Sequence, residues 1–129
     1  MFQVTDEQFE SMVAQAIDSI PEKFLGELEN VLFVAEYEPA EYQLYEDEVG
    51  DAEVLDNMMG LFEGPTLYER LAGYGDAEGP SVITVFRRAH EFACNSEAEM
   101  AEEVRRTVVH EVGHYFEMDE GQVAEMGYE

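Results

Sequence analysis

SEAEMAEEVRRTVVHEVGHYF, residues 96 to 116, carries the longest helical pattern in the chain. Ser96 and Glu99 form an S-x-x-E capping box, in which hydroxyl and carboxylate satisfy amide donors that a helix start leaves free. After it, neither Gly nor Pro intervenes up to Phe116 except Gly113, which costs only about 1 kcal/mol against Ala. On a helical wheel Val104, Val108, Val109, Val112, Tyr115 and Phe116 gather on one broad apolar side, and His110, Glu111 and His114 fall opposite. A helix packed on a sheet by its apolar side would therefore turn these three residues toward a groove.

His110-Glu111-Val112-Gly113-His114 is an HExxH motif. Residues four apart on a helix lie one above the other, so both imidazoles can meet one zinc ion (Zn2+), a metal that neutral imidazole suits. Glu111 sits about 100° from His110 and about 60° from His114. That places it within reach of a metal-bound water as a general base for hydrolysis.

A hydrolytic zinc site needs a third protein ligand and an open position. The remaining histidine, His90, lies before the helix start. Downstream, Glu117-Met118-Asp119-Glu120 supplies carboxylates. Glu120, ten residues after His110, allows the chain to turn back to the metal; Asp119 is its competitor and Glu117 a poorer one. Acids near a helix C-terminus oppose the helix dipole, and a bound cation would relieve that conflict.

The stretches SVITVFRR (81–88) and VRRTVVHEVGH (104–114) together resemble the small bacterial zincin-like metallopeptidase family. The resemblance extends to GLFEGPTLYER (60–70) and to the leading helix that ends at Ile20-Pro21-Glu22. It implies a minimal α+β domain with an HExxHxxGxxD pattern: His110 and His114 as ligands, Glu111 as base, Glu120 in place of the final Asp. Two departures stand out. Glu117 occupies the position of the Gly that supplies a left-handed turn, so it must tolerate positive φ at roughly 1 kcal/mol or more, or the helix must end differently. The last acid is Glu, whose extra methylene could recover lost reach.

Composition sets the frame. At 129 residues the chain is expected to be one domain, 1–129, with a core of normal size at 46% apolar content. No run approaches the roughly 18 apolar residues that span a bilayer, and the first residues lack a signal-peptide pattern. The single Cys94 fits a reducing compartment; a cytoplasmic location is expected, with the thiol as a small apolar filler. A net charge of −25, from 31 acids against six bases, argues against nucleic-acid and anionic-membrane partners. It suits a solubility surface, and could favour basic or neutral peptides. Arg70, Arg87, Arg88, Arg105 and Arg106 read as anchors for acidic side chains.

Along the chain, Thr5 and Gln8 form a second capping box, with Phe9, Met12, Val13, Ala16, Ile17 and Ile20 at helical spacing up to Pro21. Val31 to Ala35 reads as a short buried strand, and residues 36 to 57 as mostly loop with scattered tyrosines. Gly60 to Phe62 and Thr66 to Tyr68 read as a strand pair about Glu63-Gly64-Pro65. Leu71 to Gly79 is a connector. Val82 to Phe86 is the clearest strand; as a sheet edge it could pair with an extended substrate. Ala89 to Cys94 reads as a short helix or turn.

The expected architecture is α+β, a small mixed sheet backed by the N-terminal helix and the long motif-bearing helix. The expected function is zinc-dependent hydrolysis of a peptide or protein substrate. Tyr115, on the core side, and Tyr128, near the chain end, are poor oxyanion donors, and Met126 reads as a packing residue. Two other classes remain open: a non-catalytic metal-binding or interaction module, and a metal-dependent nuclease, which would want a third His and a basic groove.

Overall fold

In the computed structural model, residues 2–73 and 79–125 are described. A capping box and a serine N-cap set the two main helices. Thr5 closes reciprocal bonds with Gln8 at the start of α1, Asp6–Asp18. Ser96 Oγ accepts from the Glu99 amide at the start of α6, Glu97–Tyr115. The Glu99 carboxylate reaches back one residue further than the motif requires, to the Asn95 amide at 2.9 Å.

Three strands form one mixed sheet in the order β1 (Val31–Glu36), β3 (Ser81–Phe86), β2 (Gly60–Glu63). β1 runs parallel to β3, with Val31 opposite Ser81; β2 runs antiparallel, with Gly60 opposite Val85. The central strand is the one rich in β-branched residues, and Ile83, Val85 and Phe86 are fully buried, as expected of a strand covered on both faces. Ser81–Phe86 is therefore not an edge. Its amides and carbonyls are used on both sides, and the edge that faces the motif-bearing helix is β2.

α1 and α6 pack against each other and against the sheet. Phe9, Met12, Val13 and Ala16 of α1 meet Met100, Val104, Val108 and Val112 of α6 in one core. Each buried valine of α6 contributes about 1.5–3 kcal/mol against a helix-propensity penalty of roughly 0.5 kcal/mol. Burial wins, so β-branched residues sit comfortably in mid-helix. The N-terminal segment is clamped by Arg87, which donates to the Val4 carbonyl and pairs with Asp6 and Glu91.

Two segments differ from the sequence reading. Thr66 to Tyr68 is not the second strand of a hairpin. Thr66 caps α4, Leu67–Ala72, through its own capping box with Glu69, and β2 pairs with β3 instead. A hydroxyl and a carboxylate three residues apart outweighed a short apolar run that fits helix and strand equally well. The acid-rich stretch after β1 is also more regular than expected. It holds two single 3-10 turns, Glu41–Gln43 and Glu46–Glu48, and α3, Ala52–Asn57, capped by Asp51. Tyr42 and Tyr45 within it are exposed. Two further short helices are α2, Glu22–Leu25, and α5, Arg87–Ala93.

Four arginines anchor acids, with Arg88 holding Glu38 and Asp56 and Arg105 and Arg106 sharing Glu102 beside the Arg87 pairs, while Arg70 donates to the Ser81 hydroxyl at 2.9 Å. Cys94 is buried, and loss of solvent, then the nearby Glu99 and Glu103, pushes its thiol up to about 11. It is a protonated packing group. No helix among the described residues is long and apolar enough to cross a membrane.

Candidate metal centre

The C-terminal half of α6 displays two different surfaces within five residues. His110 and His114 are exposed, with ring centroids 4.6 Å apart and planes at 63°. One ligand-capable atom from each of His110, Glu111 and His114 can be chosen so that all lie within 4.8 Å of one another. Two imidazoles at that separation are donors that fit zinc, with the Glu111 carboxylate beside them.

Glu111 departs from the wheel. It does not share the solvent face of the histidines: its side chain is 8% exposed against 52% for His114. The offset around the helix axis turns it toward the sheet, and β2 lies over it. The wheel reports a residue's own helix and contains nothing about the neighbouring strand. One carboxylate oxygen stays in reach of the open face, with Oε1 3.2 Å from His114 Nδ1. Desolvation raises the Glu111 pKa above the usual carboxylate range, and the His110 charge opposes that rise.

The helix end resolves the question posed by Glu117. Its φ is +53°, the left-handed conformation. The Glu117 amide donates to the His114 carbonyl at 3.1 Å and the Met118 amide to the Gly113 carbonyl at 2.9 Å, the two bonds of a Schellman ending. The turn expected of Gly is made by Glu, and the Thr66 hydroxyl donates to its carboxylate at 3.0 Å. Gly113 matters for space rather than for helix cost. A Cβ there would lie 2.8 Å from Val123 Cγ2, so its absence lets α7, Glu120–Glu125, pack closely against α6 at Gly113.

The downstream acids separate by what they already bind. Asp119 Oδ1 accepts from the Gln122 amide, and Gln122 Oε1 accepts from the Asp119 amide: Asp119 caps α7. Glu117 holds Thr66. Glu120 opens α7, and its side chain lies outside the described residues. Met126 and Tyr128 also lie outside them.

His90 is a different kind of histidine. It is fully buried, with Nδ1 2.7 Å from the Phe86 carbonyl and Nε2 2.9 Å from Thr107 Oγ1. Burial lowers its pKa, against raising contributions from Phe86 and Glu103. Tyr115 is fully buried and its hydroxyl has no partner among the described residues, so it does not face the site. The sequence reading missed Gly60 and Thr107, which enclose Glu111, and the tie from Thr66 to Glu117. Only the last left a signal, the T-x-x-E capping box at residue 66.

The sequence matches the zincin-like metallopeptidase family over residues 28–128, and no curated protein matches it significantly. The chain belongs to the zincin-like metallopeptidase family. Membership supports a metal-dependent peptidase in general, the metal usually being zinc.

Proposed function

We propose that this chain is a zinc-dependent peptidase in which His110, His114 and Glu120 hold the metal and Glu111 is the general base. The observation that carries this reading is the contrast inside the cluster: two solvent-facing imidazoles beside a desolvated carboxylate, with ligand-capable atoms within 4.8 Å. Glu120 is taken as third ligand because it stands where the HExxHxxGxxD pattern has its final acid, after a turn at Glu117 that keeps the left-handed conformation.

Zinc held there would supply a Lewis acid and lower the pKa of a water toward about 7. Glu111 takes a proton from the attacking water and returns it to the leaving amine. A carboxyl whose pKa burial has raised is matched to both transfers. β2, the edge strand beside α6, is the strand along which an extended peptide would pair. The substrate is a peptide or protein; nucleic acid and membrane are not partners, and the location is cytoplasmic.

Metal analysis combined with turnover on a peptide library tests the reading. One zinc per chain, cleavage by the wild type and loss of cleavage with retained zinc in Glu111→Gln support it. Zinc bound with no turnover on any peptide would favour a non-catalytic metal-binding module. The preserved turn at Glu117 weighs against that alternative, because the geometry after the second histidine survives the substitution.

A further inference from the structure

We infer that Gly60 is a positioning residue for Glu111: the bare backbone of β2 forms a slot that aims the Glu111 carboxylate at the open face of α6. The inference rests on the proposed role of Glu111 as base. An ideal Cβ on Gly60 would lie 3.1 Å from Glu111 Cγ, 3.3 Å from Oε2 and 2.7 Å from Thr107 Cγ2. The slot thus exists because residue 60 has no side chain. One carboxylate oxygen faces Gly60 while the other sits 3.2 Å from His114 Nδ1.

The walls of this slot are fixed from several directions. Gly60 pairs with Val85 in the sheet, and the preceding residue, Met59, accepts from the Phe86 amide at 2.8 Å. Thr107, one turn before Glu111, has its hydroxyl 2.9 Å from the Glu103 carbonyl and 2.9 Å from His90 Nε2. His90 is held in turn by the Phe86 carbonyl. Both the strand and the threonine resist displacement, so the Thr107 methyl yields only part of the space a Cβ needs. A close-packed interior must absorb an added methyl somewhere, and the softest neighbour is the carboxylate, with three rotatable bonds and solvent nearby. A side chain at residue 60 therefore presses first on the Thr107 methyl at 2.7 Å and then on Glu111 Cγ and Oε2 at 3.1 and 3.3 Å, and the part that Glu111 absorbs re-aims its carboxylate.

Two variants of the full chain test this, Gly60→Ala and Gly60→Ala/Thr107→Ser. The second removes the methyl at 2.7 Å and keeps the hydroxyl, which separates crowding of the fold from displacement of the acid. Crystal structures of both metal-free variants should show the Glu111 carboxylate rotated away from residue 60. Zinc stoichiometry should stay at the wild-type value, and kcat on a quenched fluorescent peptide library should fall about 100-fold with KM unchanged. The double variant should regain melting temperature but not kcat. A carboxylate still in its wild-type position, kcat within twofold of wild type in Gly60→Ala, or kcat restored by Thr107→Ser overturns the inference. A wild type that cleaves nothing defeats the proposed peptidase instead, and the crystal structures still decide whether Gly60 sets the carboxylate.

Discussion

The two faces of α6 meet histidine in opposite settings, one supplied by α5 and the others its own. Inward, Thr107 meets His90, an imidazole with both nitrogens bonded and no solvent contact. Outward, His110 and His114 stand exposed and close together. Burial with satisfied nitrogens makes a histidine part of the fold. Exposure beside a second imidazole and a carboxylate leaves donors available for a metal. Glu111 lies at the border, desolvated on one side and open on the other.

That border makes the largest expected effect. Glu111→Gln should lower kcat by about 10²–10⁴-fold while zinc is retained. It should also raise the melting temperature of the metal-free protein at pH 7. The sign follows from the raised folded pKa: the favourable protonated form is present below the unfolded value and lost as pH rises through the folded one, so the neutral amide removes the cost of a buried charge. A calorimetric scan of both proteins checks it. Lower stability in the Gln variant would mean that the carboxylate is held by favourable contacts and that the border is not desolvated.

Substituting histidines on either face sharpens the contrast. His110→Ala or His114→Ala should weaken zinc binding by more than about 100-fold, since even residues that only orient ligands cost 10–100-fold. Metal-free stability should change by no more than about 0.5 kcal/mol, as for exposed sites generally. His90→Ala should do the reverse. Zinc stays bound, and stability falls by about 3 kcal/mol from lost packing and two stranded hydrogen-bond partners. Zinc titration and denaturant unfolding on all three variants decide it; a His90 variant that loses zinc would erase the distinction between the faces.

The sequence disclosed α6 and β3 almost completely, because a capped amphipathic period and a β-branched run each have one structural meaning. It also disclosed the motif, whose spacing is set by the helix repeat. It did not disclose the burial of Glu111, which depends on β2, or the role of Gly60, because a missing side chain has no pattern to read. Thr66 did leave a signal: the T-x-x-E pattern with Glu69 marks a helix start, as S-x-x-E does at Ser96. Glu117 shows the opposite limit. The sequence posed the choice between positive φ and another ending, and only the hydrogen bonds around Gly113 and His114 answer it.

The inward face also carries a pH dependence. The folded pKa of His90 lies below its ordinary 6.5. As pH falls below that value the unfolded chain takes up a proton that the folded chain refuses. The unfolded state then binds more protons, and stability drops with falling pH by up to about 1.4 kcal/mol per unit until the folded pKa is reached. Above pH 6.5 the contribution is constant. His90→Gln should flatten this part of the stability curve relative to wild type, whereas His110→Gln should leave it intact. A wild-type-minus-variant difference that does not change between pH 7 and 5 would contradict the buried, neutral state of the ring.

The smallest expected effect tests how tightly the inward face is built. Tyr115 is fully buried beside His114, against Phe62 and Phe116, yet its hydroxyl lacks a partner among the described residues. An unsatisfied buried hydroxyl costs about 1–3 kcal/mol, while a ring that fills the same space without it loses little packing. Tyr115→Phe should therefore raise stability by about 1 kcal/mol and leave zinc affinity unchanged, since the ring points away from the histidines' face. Denaturant midpoints measured with and without zinc give both quantities. A destabilised Phe variant would show that the hydroxyl is satisfied in solution, by an ordered water, and that the inner face is wetter than its burial suggests. Reduced zinc affinity with unchanged stability would place the hydroxyl's influence on His114, joining two faces that the helix otherwise keeps apart.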